Sequence, residues 1–156
     1  MSHAMTKPIY VLNGPNLNLL GSREHDVYGH ETLEDVRARC ERKADKLGFA
    51  VDFRQSNHEG ELVAWIQEAK EKAAGVVVNA GAFTHSSIAM LDALLATELP
   101  CVEVHLSNIF RRESFRHNSY ISKGAKGVIC GFGPLGYELA IEALAASVKA
   151  ERPADG

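Results

Sequence analysis

Three stretches of the chain concentrate side chains able to hydrogen-bond or move protons. They are Asn13-Gly14-Pro15-Asn16-Leu17-Asn18, Asn79-Ala80-Gly81-Ala82-Phe83-Thr84-His85-Ser86, and Glu103-Val104-His105-Leu106-Ser107-Asn108, the last running on to Arg111, Arg112 and Arg116. A fourth, Gln55-Ser56-Asn57-His58-Glu59, has the same character. Amides and imidazoles can donate to and accept from hydroxyls, and guanidiniums pair with carboxylates, so the mix suits a small polyhydroxylated acid. His85, Glu103 and His105 are also of metal-ligating types, but their spacing matches no HExxH-like pattern. Lysines stand elsewhere. Lys7, Lys123 and Lys126 precede strand-like runs, Lys43, Lys46, Lys70 and Lys72 lie on or at the ends of helical segments, and Lys149 ends the last one. None is placed to form a Schiff base, which argues against an iminium route.

The elements that must position these groups alternate β and α. Ile9 to Leu12, Ala50 to Arg54, Gly75 to Asn79, Cys101 to Val104 and Gly127 to Cys130 read as short strands, and Val76-Val77-Val78 suits burial on both faces. Thr32 with Asp35 three residues on forms a variant of the capping box, and Gly48 ends that helix. Leu62, Trp65, Ile66, Ala69 and Ala73 recur at helical spacing within Glu61 to Ala73; Ser86 or Ser87 caps a third helix reaching about Thr97; a fourth spans about Leu135 to Lys149. Five β-α units predict an α/β fold of flavodoxin-like type, a doubly wound five-stranded parallel sheet in the order 2-1-3-4-5. Each polar stretch follows a strand, and ligands of open α/β sheets bind beyond the carboxyl ends of the strands. The connection from Asn13 to Glu31 is long for a βα loop, as lids and binding loops often are.

Composition narrows the function classes. The 156 residues suit one domain, and a net charge of −3 argues against nucleic-acid or acidic-membrane partners. No apolar run approaches the ~18 residues of a membrane span. Residues 1–5, ending in a second methionine, read as an expression remnant; 6–150 as one domain; 151–156 as a fraying tail. Cys40, Cys101 and Cys130 form no CxxC pair, which fits buried reduced thiols in a cytoplasmic protein. Gly131-Phe-Gly-Pro-Leu-Gly136 matches GxGxxG, but it follows the last strand rather than the first and has no acidic residue about 20 positions on at a second strand end, so it reads as a tight turn with close helix packing. The competing reading of a flavodoxin-like nucleotide- or flavin-binding module lacks a Ser/Thr-rich phosphate loop after the first strand.

Five segments taken in order carry a specific resemblance. Asn13 to Gly21 (NGPNLNLLG), Arg23 to Gly29 (REHDVYG), Asn79 to His85 (NAGAFTH), Glu103 to Asn108 (EVHLSN) and Phe115 to Tyr120 (FRHNSY) together resemble the type II 3-dehydroquinate dehydratases, over about Ile9 to Leu144. The resemblance implies a cofactor-free lyase of the shikimate pathway of aromatic amino acid biosynthesis, converting 3-dehydroquinate to 3-dehydroshikimate, and a homododecamer built as a tetramer of trimers. It implies that Tyr28 is the base, Arg23 its activating arginine, His105 the general acid supported by Glu103, and Asn16 the holder of a water that stabilises the enolate. It further implies that Asn79, His85 and Arg116 bind substrate hydroxyls, that the backbone amides of Leu106 and Ser107 bind its carboxylate, and that Asp92 reaches a neighbouring subunit's site. His25 stands where the pattern commonly has proline and Asn118 where it commonly has histidine.

The chemistry can be argued from the residue types. A carbon acid beside a ketone needs a base, and the departing hydroxyl needs an acid. A free tyrosine titrates near about 10, so holding tyrosinate at neutral pH costs roughly 4 kcal/mol unless a cation offsets it. Arg23 is five residues from Tyr28 on the same loop and can fold back to it; Arg112 is a second cation within the expected site. A histidine beside a carboxylate, His105 with Glu103, keeps a proton to deliver. A tyrosine and a histidine thus cover both halves of a dehydration without a metal.

Overall fold

A computed structural model describes residues 6–22 and 30–151. Five parallel strands, β1 (Ile9–Asn13), β2 (Val51–Gln55), β3 (Gly75–Asn79), β4 (Cys101–His105) and β5 (Gly127–Cys130), form one sheet in the order β2-β1-β3-β4-β5. Four helices connect and cover them: α1 (Leu33–Lys46), α2 (Glu59–Lys72), α3 (Ile88–Thr97) and α4 (Leu135–Ala150). This is the doubly wound order expected from five β-α units.

The pleat explains why the central strands are apolar at nearly every position. Ile9, Val11, Val77, Val102 and Val104 face α1 and α4, where they meet Val36, Cys40, Ala44, Ala140, Ile141 and Leu144. Tyr10, Leu12, Val76 and Val78 face α2 and α3, against Leu62, Ile66, Ala69, Met90 and Leu94. Successive residues alternate between two dry layers, as expected for a parallel strand covered on both sides. Each fully buried Leu, Ile or Val contributes roughly 1.5–3 kcal/mol, so the two layers hold the strand ends firmly.

Local signals act as the sequence suggests. Thr32 accepts from the Asp35 amide at 3.1 Å while Asp35 accepts from the Thr32 amide at 2.9 Å. Gly48, at a φ of 88°, follows the end of α1. Ser87, rather than Ser86, caps α3 by accepting from the Met90 amide at 3.0 Å. Helix α2 begins at Glu59, two residues before the expected start, and β2 runs Val51–Gln55 instead of Ala50 to Arg54. The informative shifts are at β1 and β4, which each extend one residue further, to Asn13 and His105. A period-based reading stops a strand at its last apolar residue; here the ladder carries on through a polar one.

The register lines up these polar strand ends. Asn13 lies opposite both Gln55 and Asn79, and His105 opposite Cys130. The carboxyl edge of the sheet therefore presents a row of polar residues on rigid strands.

Candidate active site

Strand β4 supplies the most distinctive pair. Val102 and Val104 occupy the α1/α4 layer, so Glu103 and His105, two residues apart, share the opposite face. Glu103 is fully buried and His105 is 5% exposed. His105 Nε2 hydrogen-bonds Glu103 Oε2. Ser119 Oγ donates to the same oxygen at 2.9 Å, and Ser122 Oγ donates to Oε1 at 2.6 Å. Both carboxylate oxygens thus have partners, which a buried charge requires. Burial pushes the Glu103 carboxyl up. The bonds from His105 and Ser122, the His105 charge and the Ser119 bond outweigh it, and the net shift is downward. An ionised carboxylate locked on one imidazole nitrogen orients the ring and leaves the other nitrogen for a ligand.

The exits of β1 and β3 are joined backbone to backbone. The Gly14 amide donates to Asn79 O at 2.8 Å, and a Cβ on Gly14 would lie 2.2 Å from Ala80 O, so only glycine fits there. Beneath this junction Asn13 and Asn79, both buried, share the hydroxyl of Tyr137 from α4. Burial raises the Tyr137 phenol well above its ordinary value, and the Asn79 bond only partly offsets it. The β2 exit braces the β1 exit: Gln55 Nε2 donates to Gly14 O at 3.1 Å, and Asn57 Oδ1 accepts from the Asn16 amide at 3.0 Å. Asn16 sits in the left-handed region at a φ of 69°, before a 3-10 turn over Leu17–Leu19, and its side chain caps nothing. Its side-chain amide makes no hydrogen bond among the described residues and is of a type that can hold a small polar ligand.

Beyond β4, Gly133 N donates to Leu106 O at 2.9 Å and Asn108 Oδ1 accepts from the Phe110 amide at 3.1 Å. Arg112 and Arg116 then flank Glu113, at 3.7 Å and 3.1 Å, and the Arg116 guanidinium also stacks over Phe115. His85, in the 3-10 turn Gly81–His85 after β3, bonds through Nδ1 to the Asn118 carbonyl at 2.9 Å. Only the main chain of residue 118 is used in this bond, so asparagine serves there as histidine would. The Tyr120 amide donates to Thr84 O at 2.9 Å, so the segment that holds Glu103 is tied to the β3 exit at two points.

Most of the residues expected from the sequence therefore gather at one edge: Asn16, Asn79, His85, Glu103, His105, Leu106 and Ser107, with Arg112 and Arg116 on the connection that follows. Asp92 is apart from them, exposed on α3 and without a side-chain partner among the described residues. Arg23, His25 and Tyr28 lie outside the described residues. No three His, Cys, Asp or Glu side chains among the described residues converge as metal ligands. His85 bonds to a main-chain carbonyl, and Glu103 is saturated by one imidazole and two hydroxyls. Sequence reading missed Ser119, Ser122 and Tyr137. The serines stand within or just after a quoted motif, but nothing in their spacing points back to β4, and Tyr137 looks like one more apolar helix position.

An open parallel sheet with a tuned Glu–His pair and amide-rich loops at its carboxyl edge defines a flavodoxin-like α/β protein built for acid–base work on a small polar molecule. The chain belongs to the class II dehydroquinase family, whose pattern matches residues 7–145. It is 60% identical over 141 residues to a 3-dehydroquinate dehydratase of Phenylobacterium zucineum, covering 90% of this chain and 97% of that one. It is 58% identical over 147 residues to one of Brucella canis, covering 94% of each. The crystal structure of the type II dehydroquinase of Propionibacterium acnes superposes with a TM-score of 0.85 at 45% identity, covering 90% of this chain and 97% of that one. No described helix is long and apolar enough to cross a membrane.

Proposed function

We propose that this protein dehydrates 3-dehydroquinate to 3-dehydroshikimate in the shikimate pathway, by anti elimination through an enolate and without a cofactor. The observation that carries the reading is the buried Glu103–His105 pair at the carboxyl edge of a sheet whose whole length matches the class II dehydroquinase family. His105 delivers a proton to the departing hydroxyl while Glu103 stabilises the imidazolium and fixes the ring. Tyr28 takes the carbon-bound proton, with Arg23 and then Arg112 as the cations that favour its ionised form. Two of the other three tyrosines are unsuited to that task. Burial and Glu68 push Tyr10 up to about 12, and burial raises Tyr137 further.

Asn16 holds the water that meets the enolate oxygen. Asn79, His85 and Arg116 bind hydroxyls, and the amides of Leu106 and Ser107 take the carboxylate. Asp92 serves a neighbouring subunit's site in a homododecamer, a tetramer of trimers. Exposed Ile88 and Leu95 on its helix, and Val128, Phe132 and Leu135 along β5 and its exit, support association of subunits. A cytoplasmic setting accords with three free cysteines, two of them buried.

The test is to mix the protein with 3-dehydroquinate in the presence of a chelator and follow the absorbance of the conjugated product. Turnover undiminished by the chelator is expected. No signal at micromolar protein overturns the proposal.

A further inference from the structure

The GxGxxG stretch after β5 and the buried tyrosine that follows it are left without a task by the reading above, yet they lead to the centre of the site. Gly131 and Gly133 have φ values of 98° and 60°, and Gly136 lies in the first turn of α4 against β4. A Cβ on Gly136 would lie 3.3 Å from Val104 Cγ2 and 4.0 Å from His105 O. This close approach seats the next residue, Tyr137, with its hydroxyl between the carboxyl ends of β1 and β3.

The hydrogen bonds there run in one direction. Asn13 Nδ2 donates to Arg54 O at 2.9 Å, and a carbonyl can only accept. Asn13 Oδ1 is therefore the atom left for Tyr137, which donates to it at 2.6 Å. Having spent its one proton, the phenol oxygen must accept, and Asn79 Nδ2 donates to it at 2.8 Å. At the far end the Gly81 amide, which can only donate, meets Asn79 Oδ1 at 3.2 Å. Main-chain groups pin both ends of the relay, so neither asparagine can be turned over without breaking it.

We propose that Tyr137 is a positioning residue of the active site, whose hydroxyl relays the main-chain polarity of β2 through Asn13 to Asn79 and thereby fixes which face of the Asn79 amide meets the substrate. The proposal rests on the reading that Asn79 binds a substrate hydroxyl. After the relay is satisfied, Asn79 keeps one N–H and one lone pair in a set orientation to offer. A contact to a hydroxyl distant from the reacting bond is held equally in ground and transition states, so its loss raises KM and spares kcat.

The experiment is a double-mutant cycle on kcat and KM for 3-dehydroquinate, with Tyr137→Phe, Asn79→Ala and the pair, each checked for folding by thermal melting. Tyr137→Phe is expected to raise KM roughly tenfold, about the value of one hydrogen bond, with kcat within about twofold. The pair is expected to be no worse than Asn79→Ala alone, because Tyr137 acts through Asn79. A Tyr137→Phe protein with a lowered melting point but unchanged KM overturns the proposal and makes the tyrosine merely structural. If Asn79→Ala leaves KM unchanged, the reading of Asn79 falls instead, and this inference with it. Should Tyr137→Phe not fold, Asn13→Ala asks the same question by freeing the Tyr137 proton to be offered to Asn79. A raised KM supports the relay, and an unchanged one overturns it.

Discussion

Two carboxylates on the same side of the sheet teach opposite lessons. Glu68 on α2 receives Arg54 at 2.6 Å and Tyr10 at 2.5 Å. Arg54 is bonded in turn to Asp52 and stacks over the rings of Tyr10 and Trp65. Glu103 on β4 receives an imidazole and two hydroxyls. Both carboxyls are lowered: Glu68 to about 2, chiefly by the Arg54 bond, and Glu103 by His105 and the serines against the opposing pull of burial. Yet the Glu68 cluster holds no group suited to giving up a proton at neutral pH. Its cation is a guanidinium, raised further by Asp52 and Glu68, which never gives up a proton. Its phenol is pushed up to about 12 by burial and by the same glutamate. The Glu103 cluster holds an imidazole in place of the guanidinium, a side-chain type able both to donate and to accept a proton. The proposed reactivity therefore rests on the type of the partner, not on the existence of a buried carboxylate network.

The comparison can be broken or sharpened by mutation. The largest effects should come from removing the proton donor or its opposite number. His105→Ala is expected to lower kcat by about 10²–10⁴, the usual range for a lost general acid. Tyr28→Phe and Arg23→Ala should each abolish turnover with folding intact. A steady-state rate near normal in any of the three would take that residue out of the mechanism.

Next in size is Ser122→Ala, which strips a buried, charged oxygen of its 2.6 Å donor and should cost about 1–3 kcal/mol in urea unfolding. The sign of its pH effect follows from linkage. Glu103 is lowered in the folded state, so its charge contributes stability that is complete above the unfolded value and lost as pH falls through the folded one. Raising that folded value makes acid unfolding of Ser122→Ala begin at a higher pH than in the parent. An acid transition at the parent's pH would mean that the serine does not hold the carboxylate.

The smallest effect belongs to the Glu68 cluster. Glu68→Gln should cost only about 1 kcal/mol, since its side chain is 31% exposed and solvent screens the pair. That stability is lost in the parent as pH falls from the ordinary carboxylate range through about 2, and the variant should lack that slope. kcat should not change. A marked fall would show that the Glu68 cluster contributes to the reaction and that partner type is not the deciding feature.

Much of this was legible in the chain. Alternating apolar runs and capped helices implied the sheet and its order, and the polar stretches that follow each strand marked the site's edge, because strand direction in a parallel sheet puts every strand's carboxyl end on one side. Glu103 and His105 could be paired from their spacing, since residues two apart on a strand share a face. Ser119 and Ser122 could not, because they meet Glu103 across the fold, and no local period reports a contact of that range. Tyr137 was hidden for a different reason: a helix period shows that a position is buried but not that a hydroxyl at its tip finds partners.

By itself, then, the sequence determined the architecture, the family, and the polar stretches that line the carboxyl edge of the sheet, because these depend on residue type, order and local period. Only the tertiary structure decided how those groups are held. The saturation of Glu103 by two serines, the use of the residue 118 main chain by His85, and the one-way relay from Arg54 O through Tyr137 to Gly81 N all depend on atoms far apart in sequence. Hydrogen bonds are directional and short in range, so their partners are settled only when the sheet and its two helical layers have closed.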